Sequence, residues 1–184
     1  MKKVSADYID FDKALNVANK LLKDDKTKVF GLYIIASITT GLRVSDVRLL
    51  TFGQLRKDNF EVEEKKTKKT AHIKRHEHLK KALEHFNEFN DDMFFCRSQM
   101  KSVFSNTQIN RRLKTLFSIE VNQGKSISAH SLRKSFGRRV YNVNGQTEDA
   151  LIKLSEVFNH ADLKVTRKYL GITKDEIENI YLSL

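Results

Sequence analysis

The sequence has no proline and only one cysteine, Cys96, among its 184 residues. A lone cysteine cannot form an internal disulfide, so we expect a protein of the reducing cytoplasm. No apolar run approaches the roughly 20 residues of a membrane-spanning helix. The basic start MKKVSADYID is not followed by the apolar segment of a signal peptide. We therefore expect neither a disulfide framework nor a membrane-spanning segment, and we expect turns that depend on glycine, asparagine and aspartate.

Positive charge dominates what the sequence does contain. The 34 Lys+Arg residues outnumber 23 Asp+Glu residues, for a net charge of +11 and a pI near 9.7. Such an excess favours a polyanionic partner, either nucleic acid or an anionic membrane face. The lysine- and asparagine-rich composition is typical of an AT-rich bacterial or phage genome. A hydrophobic content of 40%, with twelve Phe, is enough for a core in a chain of one-domain length.

Hydrophobic periodicity predicts a mainly α-helical fold. Residues 10–22 place their leucines on one face after an Asp10 N-cap, and residues 27–40 form a buried helix that ends at Gly41. Ser45 and Ser131 are predicted to cap the helices that follow them. Further helices are predicted over residues 76–90, 105–118, 148–158 and 162–169, and from residue 174 onward.

Residues 54–74 break the helical pattern. The segment FEVEE alternates, KKTKK is polar, and AHIK alternates again, which predicts a small antiparallel sheet. The predicted fold class is therefore mixed α+β, mainly α-helical, with a small three-stranded antiparallel sheet. We find no repeat or linker, so residues 1–184 are expected to form one domain.

Two arginines stand where an anion can be held. Arg43 follows the Gly41 break at a helix entrance, and Arg133 lies in the first turn after Ser131, where helix amides favour an anion. Guanidinium groups grip phosphate oxygens in a bidentate manner that lysine does not match. Each arginine also has an ordinary interpretation, because Arg43 can simply form an ion pair with Asp46.

The remaining groups suit exchange of a phosphodiester without a metal, which needs a nucleophile, proton transfer and fixed geometry. Tyr169 stands beside two cations, and a phenol with a pKa of about 10 needs such neighbours to ionise usefully. His130 and His160 can share a proton or donate to the phosphate. Lys66, in the predicted hairpin, can act as a mobile acid. Each group taken alone is better explained in ordinary terms, as a structural histidine, a packed tyrosine or a lysine in a solvated charge run.

The order of these groups resembles the catalytic domain of the tyrosine recombinases, the phage integrase family. TGLRVSDVRLL, a hairpin lysine, AHSLRKSFG and NHADLKVTRKYL follow one another from about residue 30 to residue 172. The family signature falls on six residues: Arg43, Lys66, His130, Arg133, His160 and Tyr169. The acidic residue that usually follows the first arginine would be Asp46, which could orient Arg43.

The resemblance implies a tyrosine recombinase catalytic-domain fold and reversible transesterification of double-stranded DNA. Tyr169 would form a 3′-phosphotyrosyl bond and release a 5′-hydroxyl, with no metal, ATP or other cofactor. By the same resemblance the protein would be a monomer in isolation and a homo-oligomer, a tetramer, on DNA. Further phosphate contacts are predicted for a basic set: Lys65, Lys68, Lys69, Arg111, Arg112, Arg138, Arg139 and Arg167.

Several alternatives stay open at this stage. Lys65, Lys68 and Lys69 compete with Lys66 for the role of general acid. A type IB topoisomerase and a non-catalytic DNA-binding regulator of the same fold are rival functions. Relatives commonly carry a helical DNA-clamping domain upstream, whereas only some thirty residues precede the Arg43 region. We therefore expect a catalytic domain without that clamp.

Overall fold

The computed structural model describes residues 5–97, 102–172 and 181–182. It divides into two compact units, Met1–Phe136 and Gly137–Leu184, and the boundary lies within one helix, α8 (Ala129–Val143). No helix among the described residues is long and apolar enough to cross a membrane.

The first unit opens with two helices that the sequence predicted, α1 (Phe11–Leu22) and α2 (Lys28–Thr40). The Asp10 side chain accepts a hydrogen bond from the Lys13 amide at 2.8 Å, which confirms the predicted N-cap. Helix α2 contacts α1 and is buried almost all round, as its unbroken apolar sequence requires. It ends at Gly41, whose φ of 65° lies in the left-handed region that favours glycine.

Short elements follow around the next turn: α3 (Val44–Val47), α4 (Phe52–Arg56), β1 (Asn59–Glu63) and β2 (Thr70–Lys74). Ser45 is not the cap of α3, because Arg43 occupies that position and the Ser45 hydroxyl instead donates to Asp46. The strands pair antiparallel, with Glu63 opposite Thr70.

Within the described residues the sheet has two strands, so the predicted third strand is wrong. The residues before β1 form helix α4, which begins with a capping box at Thr51. After β2, Arg75 returns to Asp58 through a backbone bond of 2.8 Å and a side-chain contact of 2.5 Å, and His76 then caps a helix. The residues on either side of the two strands therefore belong to capped helices and are not available for a third strand.

Among the described residues of the first unit, three more helices precede α8: α5 (Glu77–Leu83, continued as a 3-10 turn to Phe86), α6 (Asn106–Leu116) and α7 (Ser118–Asn122). Aromatic and aliphatic side chains form its core, and its largest fully buried members include Phe30, Tyr33, Phe52, Phe86, Phe95 and Phe117. Helix α8 begins two residues before the predicted cap, and the Ser131 hydroxyl accepts from the Ser128 amide within its first turn.

The second unit contains the rest of α8 together with α9 (Glu148–Val157) and α10 (Leu163–Leu170). Helices α9 and α10 pack together, and a Cβ at Gly137 would lie 2.6 Å from Leu170 and 2.9 Å from Phe158. This close approach explains a glycine inside a helix. The helix predicted from residue 174 lies outside the described residues, apart from positions 181 and 182.

Replacing Gly41 with alanine should destabilise the first unit. A Cβ at this position would meet the Phe136 ring at 2.5 Å and would also adopt an unfavourable positive φ. Together the backbone strain and overpacking should lower the free energy of unfolding by about 2–5 kcal/mol. Gly124→Ala is the matched control, since Gly124 has a φ of 85° with nothing within 4 Å. Equal losses for both variants in urea denaturation would contradict the proposed contact with Phe136.

Candidate active site

The two arginines singled out in the sequence lie together in the first unit. Arg43 caps α3, and its Nη1 donates to Glu64 Oε1 at 2.6 Å. Arg133 projects from the first turns of α8, where its Nη1 donates to the Gly41 carbonyl oxygen at 2.5 Å and lies 3.8 Å from the same Glu64 oxygen. Both side chains are largely buried, with 15% and 4% exposed. One carboxylate therefore joins two guanidinium groups from distant parts of the chain.

Glu64 joins the two arginines, and it was not among the site residues that the sequence predicted. Its side chain is fully buried, and its second oxygen, Oε2, accepts from Thr67 Oγ1 at 2.6 Å. A signal was available, because Phe60, Val62 and Glu64 occupy the inward positions of an alternating segment. A buried carboxylate needs a cationic partner or several hydrogen bonds, so an acidic residue in that register indicates nearby arginines.

Asp46 is a second buried carboxylate at the same turn. Its Oδ1 accepts from Ser45 Oγ at 3.0 Å and from the Lys65 amide at 3.1 Å. The other oxygen is buried and, in the part of the chain that the structure describes, has no hydrogen-bond partner. Asp46 also donates its own amide to the Arg43 carbonyl at 2.9 Å. It therefore ties the hairpin loop to the helix that Arg43 caps.

Lys66 lies on the loop of residues 64–69, which joins β1 to β2. The predicted general acid is exposed there, as are Lys65, Lys68 and Lys69. Lys68 has a φ of 58°, and its Nζ lies 3.7 Å from Glu63 Oε1. The loop thus carries four exposed lysines and is anchored where it begins by the side chain of Glu64. The assignment of Lys66 as the general acid stays a prediction.

His130 stands at the exposed start of α8 among cations. Partial desolvation of the ring lowers its pKa from the ordinary value of 6.5, and the charges of four residues lower it further: Arg133, Lys134, Arg43 and Lys66. The imidazole is therefore mainly neutral at pH 7 and can accept a proton.

His160 and Tyr169 lie together in the second unit. Asp162 caps α10, and Tyr169 occupies the last turn of that helix. The His160 and Tyr169 ring centroids are 5.4 Å apart at 74°, and Phe158 packs edge-on against Tyr169 at 5.5 Å. His160 Nδ1 lies 2.9 Å from the buried Thr166 hydroxyl, which fixes the ring beside the phenol.

The arginines predicted to contact phosphates differ in their exposure and in their contacts with aromatic rings. On α6, Arg111 is exposed, whereas the Arg112 guanidinium stacks over Phe104 at 4.6 Å from the ring centroid. Arg139 on α8 is exposed, and Arg138 and Arg167 are half-buried. Stacking leaves a guanidinium able to bind phosphate through its edge.

Three histidines lie in or just after β2: His72, His76 and His78. His72 Nδ1 lies 2.9 Å from Glu61, and His76 and His78 contact each other with ring centroids 4.8 Å apart. Across residues 5–97, 102–172 and 181–182, no three potential ligands among His, Cys, Asp and Glu group closely enough to hold a metal ion.

Comparison with known proteins identifies the family. Residues 12–176 match the phage integrase family. The chain belongs to that family. Its members are tyrosine recombinases, which cleave and rejoin DNA by transesterification. The probable integrase/recombinase YoeC of Bacillus subtilis (strain 168) is 30% identical over 174 residues, which cover 92% of this chain and 91% of YoeC.

Solved recombinase structures share the fold of this integrase-family chain. The XerA recombinase matches with a TM-score of 0.68 at 19% identity, over 98% of this chain and 66% of XerA. The XerH site-specific recombinase, in a post-cleavage complex with a palindromic difH substrate, matches with a TM-score of 0.72 at 19% identity, over 97% of this chain and 53% of XerH. The chain thus spans about half to two thirds of these solved chains, and the tyrosine recombinase catalytic-domain fold is confirmed.

The pKa of His130 should respond to its cationic neighbours. In an NMR titration, the His130 ring should titrate below 6.5, and Lys134→Gln should raise the midpoint by removing one positive charge. Lys57→Gln, which removes a charge not among those acting on His130, is the control. Because the folded-state pKa is depressed, the stability that neutral His130 contributes is present above pH 6.5 and is lost as pH falls through the folded pKa.

Two results would contradict this assignment. One is a His130 midpoint at or above 6.5. The other is a wild-type protein that loses no more stability on acidification than His130→Gln does.

Proposed function

We propose that this chain is the catalytic domain of a site-specific DNA recombinase in which Tyr169 attacks a phosphodiester. The observation that carries the proposal is the pairing of Arg43 and Arg133 at one buried carboxylate, with Nη1–Oε1 distances of 2.6 and 3.8 Å. Membership of the phage integrase family supports a role for that pair in DNA cleavage and rejoining. The substrate is double-stranded DNA in the cytoplasm of a bacterial cell, which agrees with the net charge of +11.

The arginines stabilise the transition state. Attack by the phenolate creates a pentacoordinate phosphorus whose non-bridging oxygens carry increased negative charge. Guanidinium groups fixed beforehand bind those oxygens without reorganising during the reaction. Arg43 and Arg133 fit this role because both are held by hydrogen bonds within a largely buried setting.

Proton transfer is divided among three groups. Neutral His130 takes the proton from the Tyr169 hydroxyl, since its lowered pKa keeps it available as a base near pH 7. Lys66 donates a proton to the departing 5′ oxygen, and His160 donates a hydrogen bond to the phosphate. One phosphorus–oxygen bond forms as another breaks, so the phosphotyrosyl ester conserves the bond energy. The reaction needs neither ATP nor a metal ion.

The reverse step joins strands when a 5′-hydroxyl from another duplex attacks the phosphotyrosyl ester. We propose that a homo-oligomer, a tetramer, assembles on DNA to exchange strands in this way. The exposed basic residues of the hairpin loop, together with Arg111 and Arg139, bind flanking phosphates.

Tyr169→Phe should abolish covalent attachment to DNA while leaving DNA affinity within about threefold, because one hydroxyl adds little to a phosphate-dominated interface. The measurement uses a nicked duplex that loses a short strand after cleavage and traps protein on the 3′ end. Tyr181→Phe is the matched control, since Tyr181 is 75% exposed.

The same assay tests the first rival function, and assays of plasmid relaxation and of duplex joining test the second. A DNA-binding regulator would form no adduct even as wild type. A type IB topoisomerase would form the adduct and relax a supercoiled plasmid but would never join two duplexes.

Lys66→Ala should slow cleavage by about 10²–10⁴-fold, the usual range for loss of a general acid. Replacing the departing 5′ oxygen with sulfur should restore the rate, because a thiol with a pKa of about 8.5 leaves without being protonated. Lys65→Ala and Lys68→Ala are the controls. Recovery by sulfur in one of those variants, rather than in Lys66→Ala, would assign the general acid to that lysine instead.

A further inference from the structure

We propose that Glu64 is a positioning residue for strand cleavage, which holds the guanidinium groups of Arg43 and Arg133 and the loop carrying Lys66 in one frame. This inference rests on the proposed function. It adds to the predicted residues a carboxylate that acts through three of them and does not itself touch the DNA.

The first part of the argument is geometric. Glu64 Oε1 accepts from Arg43 Nη1 at 2.6 Å and lies 3.8 Å from Arg133 Nη1. The Glu64 side chain has no exposed surface, whereas that of Arg43 is 15% exposed. The carboxylate is therefore more deeply buried than the first arginine and supports it from the protein side.

The second part concerns charge. Two guanidinium groups near one point repel each other, and burial weakens the screening of that repulsion by water. A carboxylate placed against both offsets the repulsion and limits the directions in which each can point. Removing it leaves two largely buried cations without the anion between them, which is more disruptive than removing a surface charge.

The third part links the arginines to the hairpin loop. Oε2 of Glu64 accepts from Thr67 Oγ1 at 2.6 Å, and Thr67 is the residue after Lys66. The backbone of Glu64 is also fixed, since its amide donates to the Lys69 carbonyl and its carbonyl accepts from the Lys68 amide, both at 2.9 Å.

A carboxylate beside two arginines could instead occupy the place of the DNA phosphate until DNA binds. Glu64 does not fit that role, because both its side-chain oxygens and both its backbone groups are hydrogen-bonded. An internal competitor would have to leave when DNA arrives, and its removal would speed the reaction. A fixed support stays in place, and its removal slows the reaction. The two roles therefore predict opposite changes in rate.

The test compares Glu64→Gln with wild type on the nicked duplex, and it measures the dissociation constant and the single-turnover rate of adduct formation separately. Because misplaced catalytic groups lose rate, the variant should form adduct about 10- to 100-fold more slowly, with DNA affinity changed less than about threefold. Glu61→Gln is the matched control, since Glu61 is an exposed residue of β1, the strand that precedes Glu64.

Thr67→Val tests the link to the loop alone. Removing this hydroxyl should slow cleavage of the normal duplex, and a 5′-sulfur leaving group should restore the rate, because only positioning of Lys66 is affected. Sulfur should restore Glu64→Gln only in part, since the arginines also lose their support. If the variants slowed cleavage through a general loss of packing, the rate would be reduced equally with the oxygen and the sulfur leaving group.

The outcomes are decisive in both directions. An adduct rate for Glu64→Gln equal to or above that of wild type overturns the proposal. If that variant does not fold, a Thr67→Val loss that sulfur leaves unchanged overturns it instead. Failure of wild type to form any adduct would refute the proposed function, whereas a normal wild type with an unaffected Glu64→Gln refutes this inference alone.

Discussion

The repulsion between two guanidinium groups, offset by one buried carboxylate, is the interaction on which the candidate site depends. Phosphate binding favours concentrated positive charge, whereas folding opposes it. The chain meets both demands by drawing on distant segments. Gly41 provides a left-handed turn that ends α2, leaves Arg43 at the next helix start and presents a carbonyl to Arg133. The β1 strand then delivers Glu64 between them.

The small sheet serves as a tether for this site. Two strands give little stability by themselves, yet the loop they carry is tied at its base by two buried carboxylates. Asp46 accepts from the Lys65 amide at 3.1 Å, and Glu64 accepts from Thr67 at 2.6 Å. Exposed lysines therefore project from an anchored base. This arrangement suits a general acid that has to reach a leaving oxygen without displacing the arginines.

Local patterns predicted the helices well and the polar geometry poorly. The unbroken apolar run before Gly41 led directly to the buried helix α2, because burial and a glycine stop are both local signals. The third strand failed because capping at Thr51 and His76 outweighed a short alternating pattern. Glu64 was missed because its place in the site depends on a contact with Arg133, which lies 69 positions later in the sequence. Local sequence patterns do not predict such a contact.

The two compact units divide the proposed chemistry between them. The first carries Arg43, Arg133, His130 and the hairpin lysines, whereas the second carries His160 and Tyr169. Tyr169 is oriented by ring contacts with His160 and Phe158, which restrain a phenol less strictly than a network of charged hydrogen bonds does. Hydrogen bonds within the first unit hold Arg43 and Arg133, so the proposed binding of phosphate and the proposed attack by Tyr169 can be tested by separate variants.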